Sequence, residues 1–484
     1  MRIIGNAEKA REVKAVASGV LPSGKPVVVN ADGTVSVVAE TAVSDSAGSP
    51  VVFENGGSAI YTSAAYDVNA GKIVIAYQDE GNSQYGTAIV GTVSGTSISF
   101  GTAVVFESAA AAFIKTAYDA NSQKVVITYQ DDGNSGSGTA IVGTVSGTSI
   151  SFGTAVVYNS GSTTQIGITY DANAQKIVIT YRDTPNSGYG TAVVGTVSGT
   201  SISFGSEVVF ESASTAYTAI TYDANAQKVV IAYKDLGNSN YGTAIVGTVS
   251  GTSISFGTAV VFESAKSDRN AIAYDASSQK VVIAYQDDGN SDYGTAIVGT
   301  VSGTSISFGS AVVFESADTR DISISYDESA QKVVIAYKDG GNTSAGTFIT
   351  GAVSGTSISF GSPVVFESDN TDHTGSAYDS NNKKVVISYR DNGNSQYGTA
   401  VVVQAAGSVP NLTSDNYIGT AASGAPSGQG AKINIKGAVD ENQSGLTAGQ
   451  SYYVQTDGAL GTTPADPSVF AGTAVAATKL IVKG

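Results

Sequence analysis

The chain has 484 residues, a net charge of −16 from 25 basic and 41 acidic residues, and neither cysteine nor tryptophan. Its arginines (Arg2, Arg11, Arg182, Arg269, Arg320, Arg390) are scattered, and no basic block exists that could neutralise a phosphate backbone, which excludes a nucleic-acid reader. The lack of cysteine excludes disulfide staples and thiolate metal sites, and no stretch approaches the roughly 18 apolar residues of a membrane span.

Residues 1–44 open with MRIIGNAEKAREVKAVASGV, which carries charge through Lys14 and has no apolar run fit for a signal peptide. The protein is therefore expected to be made in a cytoplasm without a secretory leader. Leu21-Pro-Ser-Gly24, followed by Val29-Asn-Ala-Asp32-Gly33, predicts a strand and an Asp-Gly hairpin turn.

Residues 45–404 hold seven near-identical copies of one unit. The string VVFE or a variant starts at Val51, Val104, Val156, Val208, Val260, Val312 and Val364, at intervals of 53 and then 52 residues. In the second unit, Ile114–Tyr118 predicts a first strand and Lys124–Gln130 a second, apolar at consecutive positions and so covered on both faces. Thr139–Val145 predicts a third, and Thr148–Phe152, running on through Gly153 into AVVYN, a fourth. Asp-Ala-Asn, Asp-Gly-Asn-Ser and Ser-Gly turns separate them.

Four antiparallel strands repeated seven times predict a seven-bladed β-propeller in an all-β protein. VSGTSISFG occurs six times, beginning at Val93, Val145, Val197, Val249, Val301 and Val353, and the last unit ends at Gln404 without one. Gly48–Glu54 is an outer strand without a blade, so the N-terminal strand is expected to complete the seventh blade and close the ring.

Residues 405–484 do not match the repeat but echo the start: Leu446-Thr-Ala-Gly449 and Val454-Gln-Thr-Asp457-Gly458 have the spacing of the N-terminal hairpin. The two ends are expected to build one small β-rich base domain, with two separate modules as the alternative, and Ser408–Tyr417 as linker. The tail GLTAGQSYYVQTDGALGTTPADPSVFAGTAVAATKLIVKG resembles C-terminal segments of fibre-like virion proteins of tailed bacteriophages. VLPSGKPVVVNADGTVSVV is similar to segments near the start of such proteins. The resemblance excludes the propeller and transfers no active-site residue. It implies a virion location, attachment to other virion proteins through the terminal domain, and a homo-oligomer, although no heptad pattern imposes one.

Two segments of the unit vary strongly between copies. One precedes the first strand, as in SAAAAFIKT (108–116) and SDNTDHTGS (368–376); the other follows the second strand, as in DEGNSQY (79–85) and DTPNSGY (183–189). In an up-down blade both emerge on one rim as loops, which makes that rim a candidate binding face, against neutral drift as the alternative. Tyr85, Tyr189, Tyr241, Tyr293 and Tyr397 stand there with an apolar face and a hydroxyl suited to sugars or protein; packing on the next blade is the competing reading.

Each second strand ends in aspartate, from Asp79 to Asp391, in a turn that lacks the alternating oxygens and glutamate of a calcium loop, so bonding to its own turn is expected and no metal. The preceding residue is Arg182, Arg390, lysine or glutamine, and the basic ones are expected to form exposed ion pairs with this acidic ring. Arg269 and Arg320 complete the basic candidates, and His373, the single histidine, is expected to be a solvated loop residue.

No catalytic triad, nucleotide fingerprint or cofactor motif is present. A sialidase-like site would need clustered arginines and tryptophan-ended turns, and symmetric carboxylates seldom gain the unequal environments of an acid and a base. The sequence thus predicts a non-enzymatic virion protein, adhesin-like or tail-fibre, that binds a host surface glycan or protein. A structural decoration protein and, behind it, a glycoside hydrolase are the alternatives.

Overall fold

In the computed structural model, which describes residues 11–465 and 467–483, the protein is all-β. Residues 1–10 of the expected N-terminal segment lie outside the described residues. The chain divides into one unit of Ser44–Ala406 and another built from Met1–Val43 with Gly407–Gly484.

The repeats of the first unit are wired alike, except that the crossing strand into the first is broken between Glu54 and Ala59. In the second, the strand Val104–Asp119 is 16 residues long and serves two sheets. Its first part pairs with Tyr85–Ser94 of the preceding repeat, and its second part, from Ala111, pairs with Lys124–Asp131. Lys124–Asp131 pairs onward with Ser137–Ser146, whose other edge takes both Ser149–Phe152 and the start of the next crossing strand. The expected fourth strand is thus two pieces, and its second piece runs without a loop into the first strand of the next repeat. At the ends, Tyr397–Gln404 of the seventh repeat pairs with Ser46–Ala47 and Val51–Glu54, so the N-terminal strand fills the place of the absent outer strand.

The second strands are buried on both faces, as their unbroken apolar runs predict. Ile73, Ile75 and Tyr77 pack with Val386, Ala400 and Val402 of the seventh repeat. Val74 and Ala76 pack with Ile127 and Tyr129 of the second. Each sheet therefore supplies half of two cores, and none can bury its faces alone.

A buried phenol marks each of these seams. Tyr77, Tyr129, Tyr233, Tyr285, Tyr337 and Tyr389 are fully buried, and each donates its hydroxyl hydrogen to the glutamate of the VVFE string, at 3.0–3.2 Å. That glutamate sits on the crossing strand where it leaves the preceding sheet. Its other oxygen accepts a backbone N–H two residues on, as from Ala109 to Glu107 at 3.1 Å. Repeat three departs from this: Asn159 replaces the glutamate and faces Tyr181 at 3.5 Å. Burial pushes the Tyr181 hydroxyl upward in pKa, the Asn159 bond opposes it, and the charge of Glu207 adds to the rise. Glu207, the carboxylate whose charge acts on Tyr181, stands where the other repeats have alanine or proline. Tyr158, in place of phenylalanine, likewise finds Thr128 at 3.0 Å, where four repeats have alanine.

In the second unit, the hairpin Pro26–Val29 and Val35–Val37 continues into a sheet through Tyr417–Ala421, Gly430–Asn434 and Glu12–Val16. The hairpin Ser451–Val454 and Leu460–Gly461 continues in the same order through Val469–Ala476, Lys479–Val482 and Val439–Asp440. Both carry a bulge at the same place, Val27/Val28 opposite Gly419 and Tyr417, and Tyr452/Tyr453 opposite Gly472 and Phe470. A Cβ on Gly419 or Gly472 would meet a carbonyl oxygen at 1.8 or 2.1 Å, which explains the shared Gly-Thr-Ala. The unit is a duplicated five-stranded sheet whose first copy draws strands from both termini. Val28, Tyr417, Tyr452 and Leu480 share one core between the copies. The expected linker is structured: Gly407–Pro410 pairs with Glu40–Val43, and Leu412 is buried.

Removing one anchor tests the seam. Glu211→Ala leaves Tyr233 and the Ala213 amide unpaired and is expected to destabilise by about 1.5–3 kcal/mol in denaturant titration. Adding Tyr233→Phe is expected to recover part of the loss. A cost within 0.5 kcal/mol, on the order of an ordinary surface substitution, would show that the bond is dispensable.

Candidate functional site

The two variable segments meet as backbone. Within a repeat, the turn after the second strand donates to the segment before the first, as Leu236 N–H to Ser214 at 3.0 Å and Asn392 N–H to Asn370 at 2.9 Å. Between repeats, the residue before each tyrosine position accepts from the next variable segment: Ala111 to Gln84 at 3.1 Å, Ser267 to Asn240 at 3.2 Å, and Ala59 back to Gln396 at 3.3 Å. The variable segments thus form one hydrogen-bonded belt that joins the first and seventh repeats.

Part of the variation is packing. A Cβ on the turn glycines Gly133, Gly237 and Gly289 would lie 2.4 Å from the methyls of Ala109, Ala213 and Ala265. Repeat three reverses the pair: Pro185 replaces the glycine, and Gly161 replaces the alanine that Pro185 would strike.

From the second copy to the seventh, the segment before the first strand, expected as a loop, is strand throughout. It carries a bulge, as between Ala112 and Lys115, that leaves two residues out of register. The first residue of the bulge has φ between 48° and 55° in all seven copies: Tyr61, Phe113, Gln165, Tyr217, Arg269, Asp321 and His373. A left-handed conformation costs a non-glycine residue about 1–2 kcal/mol, yet here it is occupied by six residue types. Tyr61 packs its ring 5.2 Å from Phe113 and 5.5 Å from His373. Tyr61, Phe113, Gln165, Tyr217 and His373 line a cavity of 170 Å³. His373 is therefore not a solvated loop residue; burial lowers its pKa, with the charges of Asp321, Arg390 and Asp372 acting on it as well.

The tyrosine candidates Tyr85, Tyr189, Tyr241, Tyr293 and Tyr397 are half-buried at the starts of the third strands, while Ser137 and Ala345 at the same position are buried. Among the described residues their hydroxyls have no protein partner. The aspartates beside them bond to their own turns: Asp79 accepts from Asn82 at 3.1 Å, Asp235 from Gly237 and Asn238, and Asp391 from Asn394. Among the described residues, no group of acidic or histidine side chains is arranged to hold a metal.

The basic candidates do not pair with these aspartates. Lys234 reaches Asp268 of the next repeat at 2.6 Å, and Lys338 reaches Asp372 at 2.8 Å, both part-buried. Arg390 also binds Asp372, Arg269 meets Asp321 at 3.4 Å, and exposed Arg320 meets Asp318 at 2.9 Å. Arg182 stays without an acidic partner among the described residues and leaves its Nε unbonded. The partners lie in the variable segments, not in the fixed acidic ring.

Burial raises the Asp372 carboxyl, but hydrogen bonds from Lys338, Asn392 and Arg390 outweigh it and hold the group well below its ordinary 3.8. A depressed folded-state pKa stabilises above the unfolded value and is lost as pH falls below it. Asp372→Asn is expected to cost about 1.5–3 kcal/mol at pH 7, and the gap to the unsubstituted protein to narrow steadily below about pH 4. A gap that stays constant down to pH 2.5 would contradict this.

No protein-family model and no curated protein matches this sequence. Among solved structures, the BP39L lectin from Burkholderia pseudomallei superposes with a TM-score of 0.56 at 10% identity, over 73% of this chain and 98% of its own. A protein of unknown function from Dyadobacter fermentans gives 0.47 at 10%, over 75% and 99%. The SapL1 lectin, solved with alpha methyl fucoside, gives 0.39 at 12%, over 64% and 97%. At such identities the first of these shows a shared fold, all-β and propeller-like, and nothing about the ligand.

Proposed function

We propose that residues 44–406 form a seven-bladed β-propeller, closed by its N-terminal strand, that binds a host surface glycan or protein through the belt of variable segments and catalyses no reaction. The duplicated terminal unit attaches it to a virion, a reading supported by the resemblance of residues 445–484 to fibre-like phage proteins. The observation that carries binding is the convergence of the variable segments on five half-buried tyrosines whose hydroxyls lack a protein partner. A half-buried tyrosine offers a rigid apolar face and one hydrogen bond at little entropic cost, which suits a sugar ring. Against hydrolysis stands the engagement of the nearby carboxylates: Asp79, Asp235 and Asp391 hold turn amides, and Asp372 holds two cations and an amide.

The reciprocal swap at Gly161 and Pro185 favours the second reading, a structural decoration protein, because it accounts for part of the variation by packing alone.

A glycan array probed with the full chain separates the two. At least one glycan class is expected to bind. Replacing Tyr85, Tyr189, Tyr241, Tyr293 and Tyr397 together by alanine should weaken that binding at least tenfold with little change in the unfolding midpoint. A blank array and no adhesion to host cells, with particle attachment intact, would leave the decoration protein.

A further inference from the structure

Behind the bulge, the first strands of all seven repeats line a second cavity of 220 Å³. The next position inward after Thr62, Ile114, Ile166, Thr218, Asn270, Ile322 and Thr374 is small in six copies: Ser63, Gly167, Ala219, Ala271, Ser323 and Gly375. In the remaining copy it is Lys115, which lines both cavities. Small residues leave the space open and one long cationic side chain enters it. Protein surrounds Lys115 on every side, yet its side chain is exposed, because what it faces is the cavity. Among the described residues it has neither ion pair nor hydrogen bond.

Unsatisfied polar groups lie within the wall of this space. Asn270 and Thr218 are more than nine-tenths buried and line both cavities; the Asn270 Nδ2 donor and the Thr218 hydroxyl have no partner. Asn270 is oriented by Ser267, whose hydroxyl donates to Oδ1 at 2.6 Å and leaves the amide N–H groups facing elsewhere. The Ser323 hydroxyl on the wall is also unbonded. By contrast, Thr62 and Thr374 bond to the carbonyls of His373 and Asp321, so vacant hydroxyls are not general at these positions. Among the described residues, no carboxylate lines either cavity. Asp321 and Asp372, whose charges act on His373 at the mouth, are engaged by Arg269 and by Lys338 and Arg390, so the Lys115 ammonium is the cation of this space left without a counter-charge. The mouth supplies the aromatic rings of Tyr61, Phe113 and Tyr217.

We propose that this cavity is a binding site for a carboxylate-bearing ligand the size of one sugar residue. Its carboxylate meets Lys115 and Asn270, and its ring lies among the aromatic residues of the mouth. A charge-assisted hydrogen bond to an ammonium is roughly twice as strong as a neutral one, so the carboxylate decides the selectivity. The site is separate from the rim tyrosines and does not depend on them.

Calorimetric titration of the full chain with glucuronate, glucose and a glucuronate-containing oligosaccharide tests this. Glucuronate is expected to bind at least tenfold more tightly than glucose. Lys115→Met should abolish that preference, Lys115→Arg should keep it, and both variants should retain the wild-type unfolding midpoint. Asn270→Ala, a second and independent variant, should weaken glucuronate and leave glucose unchanged. Equal affinity for glucuronate and glucose, or Lys115→Met binding glucuronate as well as wild type, would overturn the proposal. Oligosaccharide binding that requires Lys115 identifies an acidic glycan as the source of the carboxylate; binding of the free acid alone identifies a small metabolite. If the five-tyrosine variant still binds glucuronate while the glycan array is blank, the rim reading fails and this site stands.

Discussion

In nearly every seam between neighbouring sheets, a glutamate leaves one sheet on a crossing strand and accepts a hydrogen bond from a tyrosine buried in the next. An unpaired phenol in that position would cost about 1–3 kcal/mol, and the same carboxylate also holds the amide at which the strand changes sheets. Two constraints meet in one side chain: the polar atom that the core must satisfy and the turn that the backbone must make. The apolar layers follow from it, since each second strand can divide its residues between two neighbours only if the crossing strand is held in register. Repeat three is the exception. There the glutamate is absent, and Glu207, in the connection between Ser201–Phe204 and Val208–Asp223, is the carboxylate whose charge acts on Tyr181.

With the seams fixed, the freedom left to the repeats lies at the bulge and the turn that touches it. These segments stay hydrogen-bonded to each other whatever their side chains, so backbone geometry is constant where sequence is not. The bulge holds non-glycine residues in a left-handed conformation in every copy, and strain kept through six residue types belongs to the scaffold. What varies is the chemistry presented at the cavity mouth. Neighbouring copies have become complementary there, as with Arg269 against Asp321 and Tyr61 against Phe113.

Much of this was legible in the sequence. The period, the four-strand unit, the doubly covered second strand and the returning N-terminal strand all follow from turn dipeptides and runs such as KVVITYQ. The bulge was not legible, because left-handed positions are ordinarily sought at glycine or asparagine, and none of the seven residues is either. Stretches that vary between copies read as loops, which puts His373 in solvent, whereas the bulged strand turns it toward Tyr61. The tyrosine–glutamate seam did leave a signal: both residues recur in fixed positions, and where the glutamate is lost Glu207 appears. Pairing them required knowing that the glutamate belongs to one sheet and the tyrosine to the next. The ion pairs were misassigned for a related reason, since their acidic halves lie in the variable segments.

The terminal unit has a simpler view of the repeats. Its two duplicated sheets differ at one connection: in the second copy the hairpin passes to the following strand within residues 462–468, and in the first copy residues 38–416 intervene, including the whole unit Ser44–Ala406. The chain leaves and returns through strands paired as neighbours, Val43 opposite Gly407. To this unit the whole array is a single surface loop whose ends are already tied. Loop-closure entropy grows only logarithmically with length, so an insertion on the order of hundreds of residues burdens such a sheet little more than one of tens. An array of different repeat number, or another fold with adjacent ends, would meet the same two strands, so this joint admits exchange of one unit without a change in the strand pairing of the other.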